Sequence, residues 1–424
     1  MELAKMKLLH SPSTEQLSEA AKLAAIDNAI TLNYEPLRTW SHAHQDPLVA
    51  NHARIVFSIP KHREYMRTGY LSEPLLAEAA NRLLYEQEST SPSFCIDTLS
   101  KCDENGMLAK GHIRETIARS IMSNAYRRAV AKETASGPLN FSAGCSLKAF
   151  IEEVFAEEFA DMILASKPDN VQRGQEFRTA FKNAAVRFTH FITMSTRGPK
   201  KNWAWTNIAW AAFVRSAAII CHATQSTIDF IIPILLQRDD KIDERVMSAI
   251  LVQVKNRVQE GTTNEFPVDA EDVKLFPEKK PIRPYISLIM DLGIARRIPA
   301  NNFKSRTAAL TSAPPTPQEV SRYQSGVRQR HYNPDEHPRY QFIASGCSAV
   351  VYKNVDKAKF GGLLGACDIF TEHGRLDEGS IEAIKRLQPV WEPGIRCFDW
   401  IENDVLLSGE STDELEGREV VAQV

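Results

Sequence analysis

The sequence predicts a mixed α/β protein, α/β or α+β, in which a mixed sheet is flanked by helices and preceded by a mostly helical N-terminal region. Two observations carry this. Up to about residue 135 the apolar residues recur at helical spacing between polar breaks, and from residue 228 the pattern changes to short β-branched runs. A sheet fed by helices needs both periods in one chain.

The elements follow in order. "STEQLSEAAKLAAIDNAI" (13–30) opens with Ser13 and, three residues on, Gln16, the spacing of a capping box, and predicts a helix. "SEPLLAEAANRLLYEQE" (72–88) places Pro74 where the first helical residue needs no N–H, and "GHIRETIARSIMSNAYRRAVAKE" (111–133) is a third helical run. "CSLKAFIEEVFAEEFADMILAS" (145–166) predicts one amphipathic helix: Phe150, Val154, Phe155, Phe159, Met162 and Ile163 form a stripe, with Glu152, Glu153, Glu157 and Glu158 largely off it. "GQEFRTAFKNAAVRFTHFITM" (174–194) continues in helical period. "NWAWTNIAWAAFVRSAAIICHATQ" (202–225), apolar on nearly all sides, predicts a buried helix with Trp203, Trp205 and Trp210 in the core.

"IDFIIPILL" (228–236), "MSAILVQVKN" (247–256), "RPYISLIMDLG" (283–293) and "RYQFIASGCSAVVY" (339–352) predict strands. Pro233, which has no N–H for a ladder, predicts a bulge, a bend or a sheet edge in the first of them. Residues 301–338, rich in Pro, Ser, Thr and Arg, predict an exposed excursion, and the acidic end "LLSGESTDELEGREVVAQV" predicts a mobile tail. The expected division is a helical region over 1–138 forming its own lobe, a domain over 139–378, and an extension over 379–424.

Composition narrows the classes of function. The formal net charge of −2 supplies no global cationic field, so a nucleic-acid partner must be held by local patches. The seven cysteines include no CxxC pair, and the expectation is reduced core thiols, neither a disulfide framework nor a zinc site. No apolar run reaches the about 18 residues of a membrane span, and the first residues lack the continuous apolar core of a secretory signal. An intracellular protein with no membrane partner is expected, nucleus and cytoplasm being equivalent on this ground. P-loop, GxGxxG, HExxH and GxSxG signatures are absent.

What remains is a polar constellation on two apolar runs. Asp229 opens the first, and Gln253 and Lys255 share a face near the end of the second. If the runs pair as a hairpin, the midpoint of 229 and 253 is residue 241, inside the polar turn "QRDDKIDER". Asp229 then lies opposite the Gln253–Lys255 end. A buried carboxylate there needs a salt bridge, a solvated cleft or a metal ion. For the third case Asp229 offers a carboxylate, Gln253 a side-chain carbonyl and Val254 a backbone carbonyl, a donor set suited to Mg2+. Lys255 stands beside them to orient a water.

The pair "IDFIIPILL" and "AILVQVKN" resembles the core signature of the PD-(D/E)XK nuclease superfamily, the restriction-endonuclease-like fold. There an Asp on one strand is followed by Glu or Gln, any residue and Lys on the next. These blocks, with "RPYISLIMDLG" and "RYQFIASGCSAVVYK", also resemble an expanded group of proteins of mushroom-forming fungi. The resemblance covers roughly residues 140 to 375, a domain's length. It implies a metal-dependent phosphodiesterase, with Asp229, Gln253 and Val254 holding Mg2+ or Mn2+, Lys255 assisting the attacking water, and DNA the favoured substrate. A Glu from the preceding helix often joins such sites; here Glu152 or Glu153 in "LKAFIEEVF" matches it, with Glu152 preferred.

Gln253 stands where active members mostly carry Glu, so the alternative is an inactive nuclease fold used as a binding or scaffold module. Gln225 is a further substrate-side candidate, and the basic residues Arg197, Lys200 and Lys201 are candidates for phosphates. The helical N-terminal region is an expected surface for a protein partner, and a homo-oligomer is a further expectation. His190 and His222 are expected to be satisfied histidines in the core or at an interface.

Overall fold

The computed structural model describes residues 2–9, 17–34, 39–59, 61, 66–134, 137–171, 173–193, 205–221, 228–238, 242–255, 268–271, 273–276, 281–293, 303–305 and 336–365. Ser13, Gln16, most of the expected excursion and the acidic tail lie outside these residues.

The first part of the chain is helical, as expected: α1 (Glu2–Leu9), α2 (Glu19–Ile30), α3 (Thr39–Asn51), α4 (Pro74–Thr90), α5 (Phe94–Glu104) and α6 (Ile113–Glu133). A two-stranded antiparallel ribbon, β1 (Ile55–Ser58) and β2 (Arg67–Gly69), separates α3 from α4. The Ser18 hydroxyl caps α2 by accepting from the Ala21 N–H at 3.1 Å. Pro74 starts α4 as its sequence requires. Most of α6 is buried, Arg119 and Arg127 included, because it packs on both sides.

That burial bears on the expected boundary near residue 138. Helix α6 lies against α7 (Leu147–Val154) and against strand β8 (Met247–Lys255), and residues 1–366 form one compact unit. The N-terminal helices thus pack within the same compact unit as the sheet.

Residues 145–166 do not make the single helix expected. After β3 (Cys145–Ser146), α7 stops at Val154 and α8 (Glu157–Leu164) begins anew. The cause is tertiary: Phe155 is extended and bridges to Tyr352, the Ala156 N–H donates to Val351 O, and the Lys353 N–H donates to Val154 O. Residues 174–194 also depart from helical period. Only α9 (Phe177–Ala180) is helical, and β4 (Ala185–Val186) and β5 (His190–Thr193) enter the sheet. In 202–225, α10 (Trp205–Val214) ends where Ser216 takes a φ of 55°, and β6 (Ala217–Ile220) follows as a fully buried strand. Trp210, expected in the core, is 38% exposed.

The remaining strands are β7 (Phe230–Leu235), β8, β9 (Tyr285–Asp291), β10 (Phe303–Ser305) and β11 (Arg339–Ser345), followed by α11 (Lys357–Gly365). The sheet runs β10-β11-β9-β8-β7-β4-β3, with β6 also against β7 and β5 against β6. Strands β8, β9 and β11 are mutually parallel and β7 is antiparallel to β8, so the sheet is mixed and flanked by helices. Pro233 sits inside it without a bulge, opposite Ala249. On its other side, β6 pairs with 230–231 and β4 with 234–235. The proline falls where β7 changes partner, so no ladder bond is lost there.

One face of the sheet buries Ile231, Ala249, Leu251 and Ile289 against Ala212 of α10 and against Val268, Val273 and Leu275. Elsewhere an aromatic set joins the helices to the strands: Phe177 and Phe181 pack on Tyr340, and Phe191 sits edge-on to Phe230. Cys95, Cys102, Cys145, Cys221 and Cys347 are free and buried, as core thiols should be. Among the described residues, no helix is long and apolar enough to cross a membrane.

Candidate functional site

The β7–β8 ladder has the register that the turn arithmetic predicts. Phe230 pairs with Val252 and Leu235 with Met247, which brings Asp229 beside residues 252–254 at the open end. Asp229, just before β7, donates its N–H to Val252 O at 2.9 Å, and its carbonyl accepts from the Cys221 N–H at 2.8 Å. Its carboxylate turns onto the neighbouring strand, where Oδ2 accepts from the Val254 N–H at 2.5 Å.

The parallel β8–β9 ladder explains why that N–H is available. The Leu292 N–H donates to Lys255 O, so the odd residues of β8 bond toward β9 and the even ones face β7. Beyond the start of β7, no strand among the described residues pairs with the Val254 amide, and the Asp229 side chain accepts from it instead. The Val254 carbonyl lies along the same edge.

The electrostatics are those of a half-buried acid short of charge compensation. Burial is the main cause that pushes the Asp229 carboxyl up to about 6. The Val254 N–H works against the rise, Glu115 adds to it, and Arg119 and Lys255 oppose it. Gln253 is buried, and Val254 and Lys255 are half-buried.

Glu115 and Arg119 belong to the first turns of α6. Arg119 is fully buried, with Nε donating to Ile30 O at 2.8 Å and Nη2 to Thr31 O at 3.0 Å, so it satisfies the C-terminal end of α2. Its Nη1 lies 3.7 Å from Glu115 Oε2, and His112 Nδ1 lies 3.3 Å from the same oxygen. Burial lowers Arg119 to about 10, while Glu115 and Asp229 raise it.

Glu152, the expected helix acid, is not brought to this corner. It pairs with Lys132 and Lys148, and Lys132 is in the last turn of α6. Lys132 is 17 positions after Glu115, about 25 Å at 1.5 Å per residue. The helix acid whose charge Asp229 feels is Glu115, which lay unremarked in "GHIRETIARS". Choosing it needed the packing of α6 on β8, which no local pattern encodes.

A second residue missed from sequence is Asp291. It is buried at the end of β9, in register with Lys255 on one side and Ser345 on the other. Its sequence signal was present: a lone acid at the edge of an apolar run, the pattern that singled out Asp229. Gln225, Arg197, Lys200 and Lys201 lie outside the described residues, as does His222.

Among the described residues, no group of three or more His, Cys, Asp and Glu side chains gathers to hold a metal ion. The donors at this corner are oxygen atoms of one or two carboxylates, an amide and the chain itself, a set that fits a hard cation keeping several waters and not a zinc-type site.

The fold and this corner define a class: a mixed α/β protein whose antiparallel strand pair sets an acid against a Gln-X-Lys segment. Residues 13–276, more than half the chain, match the model of the family described as a domain of unknown function, DUF8736, and the chain belongs to that family. The match starts within the N-terminal helices and runs through Asp229, Gln253 and Lys255, ending before β9. No curated protein and no solved structure matches the chain.

Proposed function

We propose that this protein is a metal-dependent nuclease that hydrolyses phosphodiester bonds, with DNA favoured over RNA. The observation that supports it most is the placement of the Asp229 carboxylate against residues 253–255, with Val254 N–H on Oδ2. Asp229, Gln253 and the Val254 carbonyl would hold Mg2+ or Mn2+, and Glu115 replaces Glu152 as the helix acid nearby. A cation held there would polarise a phosphoryl oxygen and lower the pKa of a water. Lys255 would orient the attacking water and offset charge on the phosphate, while the Val254 N–H fixes the Asp229 carboxylate. Crowding of Asp229 by burial and by Glu115 is the electrostatic support, because a cation relieves both.

The test is cleavage of plasmid and single-stranded DNA with Mg2+ or Mn2+. Asp229→Ala and Lys255→Ala should each abolish cutting, and activity equal to that of the parent in both variants rules the assignment out.

A second reading, an inactive fold used for binding, draws on Arg119 and Lys255, whose fixed charges already partly compensate Asp229. Titration with Mn2+ alone separates the two: a nuclease site binds the ion and loses it in Asp229→Ala, whereas the inactive fold shows no site sensitive to Asp229.

A further inference from the structure

His190 is buried on β5, yet its ring faces a partly exposed hydroxyl. Its Nε2 lies 2.7 Å from Ser72 Oγ, in the segment leading into α4, and its Nδ1 lies 3.1 Å from Thr189 Oγ1. Thr189 Oγ1 is 3.1 Å from the Ser216 carbonyl, which only accepts, so the single threonine proton is donated there. Thr189 Oγ1 therefore accepts from the imidazole, and Nδ1 carries the ring proton. The Ser216 carbonyl also stabilises a proton on this ring. A neutral imidazole has one N–H, so Nε2 is the acceptor and the Ser72 hydroxyl donates to it.

Arg215 completes the arrangement from the exposed side. Its Nε donates to Ser72 Oγ at 3.3 Å, and its Nη2 donates to the Ser72 carbonyl. The serine oxygen thus has a base on its proton and a cation beside its lone pair, the two devices that activate a hydroxyl. Burial first, and the Arg215 charge second, push His190 down to about 4. The imidazole is then neutral at pH 7, with Nε2 open to a proton.

We propose that Ser72 and His190 form a nucleophile–base pair, sharing no residue with the Asp229 corner, that takes an acyl group from an activated ester or thioester. Ser72 Oγ adds to the carbonyl carbon as its proton passes to His190 Nε2. The adduct collapses by breaking the bond to sulfur or aryl oxygen, and the imidazolium returns the proton to that leaving group. The products are O-acyl-Ser72 and a free thiol or phenol. Thr189 stands where a carboxylate would otherwise support the imidazolium, and Arg215 opposes that charge while favouring the oxyanion. Leaving groups that depart without prior protonation are the ones such a weak base can serve. This selects thioesters and aryl esters over amides and alkyl esters.

The experiment incubates the full chain with p-nitrophenyl acetate and follows acetylation by intact mass and peptide mapping. Acetyl should appear on Ser72 and vanish in Ser72→Ala, a partly exposed position outside helix and strand. His190→Gln should slow labelling of Ser72 by roughly 100-fold, the lower end for general-base assistance. Thr189→Val, close in shape, should slow it as well if the ring tautomer is set as described, with the circular dichroism spectrum unchanged. No acetyl on Ser72, or Ser72 acetylated at the parent rate in a folded Thr189→Val, would overturn the proposal.

Discussion

The two ends of strand β9 carry charged clusters of opposite character. Beside its start, on β11, Arg339 donates through Nε and Nη2 to the two oxygens of Asp169 at 2.9 and 3.0 Å, and through Nη1 to Asp269 at 2.9 Å. Tyr285 adds a hydroxyl to Asp269 at 3.2 Å. Burial works against the guanidinium's charge, but Asp169, Tyr285 and Asp269 more than offset it, and its pKa is raised. At the other end Asp229 has one backbone N–H on its carboxylate, a like charge in Glu115, and a pKa moved toward neutrality.

The difference separates a closed ion cluster from an open one. A bidentate pair with a second carboxylate is complete, and such a cluster serves to join α8's following loop, the 268–276 segment and β11. An acid that the fold leaves under-compensated is the place where an added cation would gain most. The Asp229 end is also where β8 and β9 finish, the usual side of a partly parallel sheet for a ligand.

Substitutions at the two ends should act with opposite signs. The largest effect is expected from Arg339→Ala, which leaves Asp169 buried without its cation and should cost about 3–5 kcal/mol. A urea midpoint unchanged from the parent would mean that this cluster is not closed.

Asp229→Asn should do the reverse in the metal-free protein, raising stability at pH 7 by about 1–2 kcal/mol, after discounting for partial solvent access. Its folded pKa of about 6 lies above the ordinary 3.8, so between those values the folded chain binds a proton that the unfolded chain has released. The parent's stability through this group therefore falls as pH rises from about 4 to about 6. Thermal melts across that range should show the fall in the parent and its absence in Asp229→Asn. A less stable Asn variant would place Asp229 with the closed cluster.

A smaller change is expected from Gln253→Glu, which adds a carboxylate to the proposed donors and should tighten Mn2+ binding roughly tenfold, since ligand charge tunes affinity. Calorimetric titration reads it, and unchanged or weaker binding would remove Gln253 from the proposed ligand set. Least of all should come from Glu152→Ala. Its partners Lys132 and Lys148 are more than half exposed, so the loss should stay below about 1 kcal/mol with DNA cleavage unaltered. A large loss of cleavage would return Glu152 to the site in place of Glu115.

Local pattern was most informative where an element follows its own period. Helix α4, helix α6 and the β7–β8 register were all legible, because Pro74, the apolar spacing and the polar turn around residue 241 act over a few residues. Pattern misled where bonding from distant chain decided the outcome. Phe155 breaks a predicted helix because residues 351–353 pair with 154–156, and Ala217–Ile220 leaves its helical run because β7 and β5 flank it. Alanine favours helix by about 0.5 kcal/mol over most residues, and a ladder on two sides outweighs that.

For the candidate site the same division holds. The sequence by itself determined that Asp229 comes to the 253–255 end of the neighbouring strand, since strand alternation and turn length are short-range geometry. The tertiary structure alone decided that α6 crosses β8 with Glu115 and Arg119 at that end, that Glu152 sits a helix length away, and that Asp291 lies in register with Lys255. The physical reason is that the field at a carboxylate depends on charges within several ångströms, and packing, not sequence distance, chooses which charges those are.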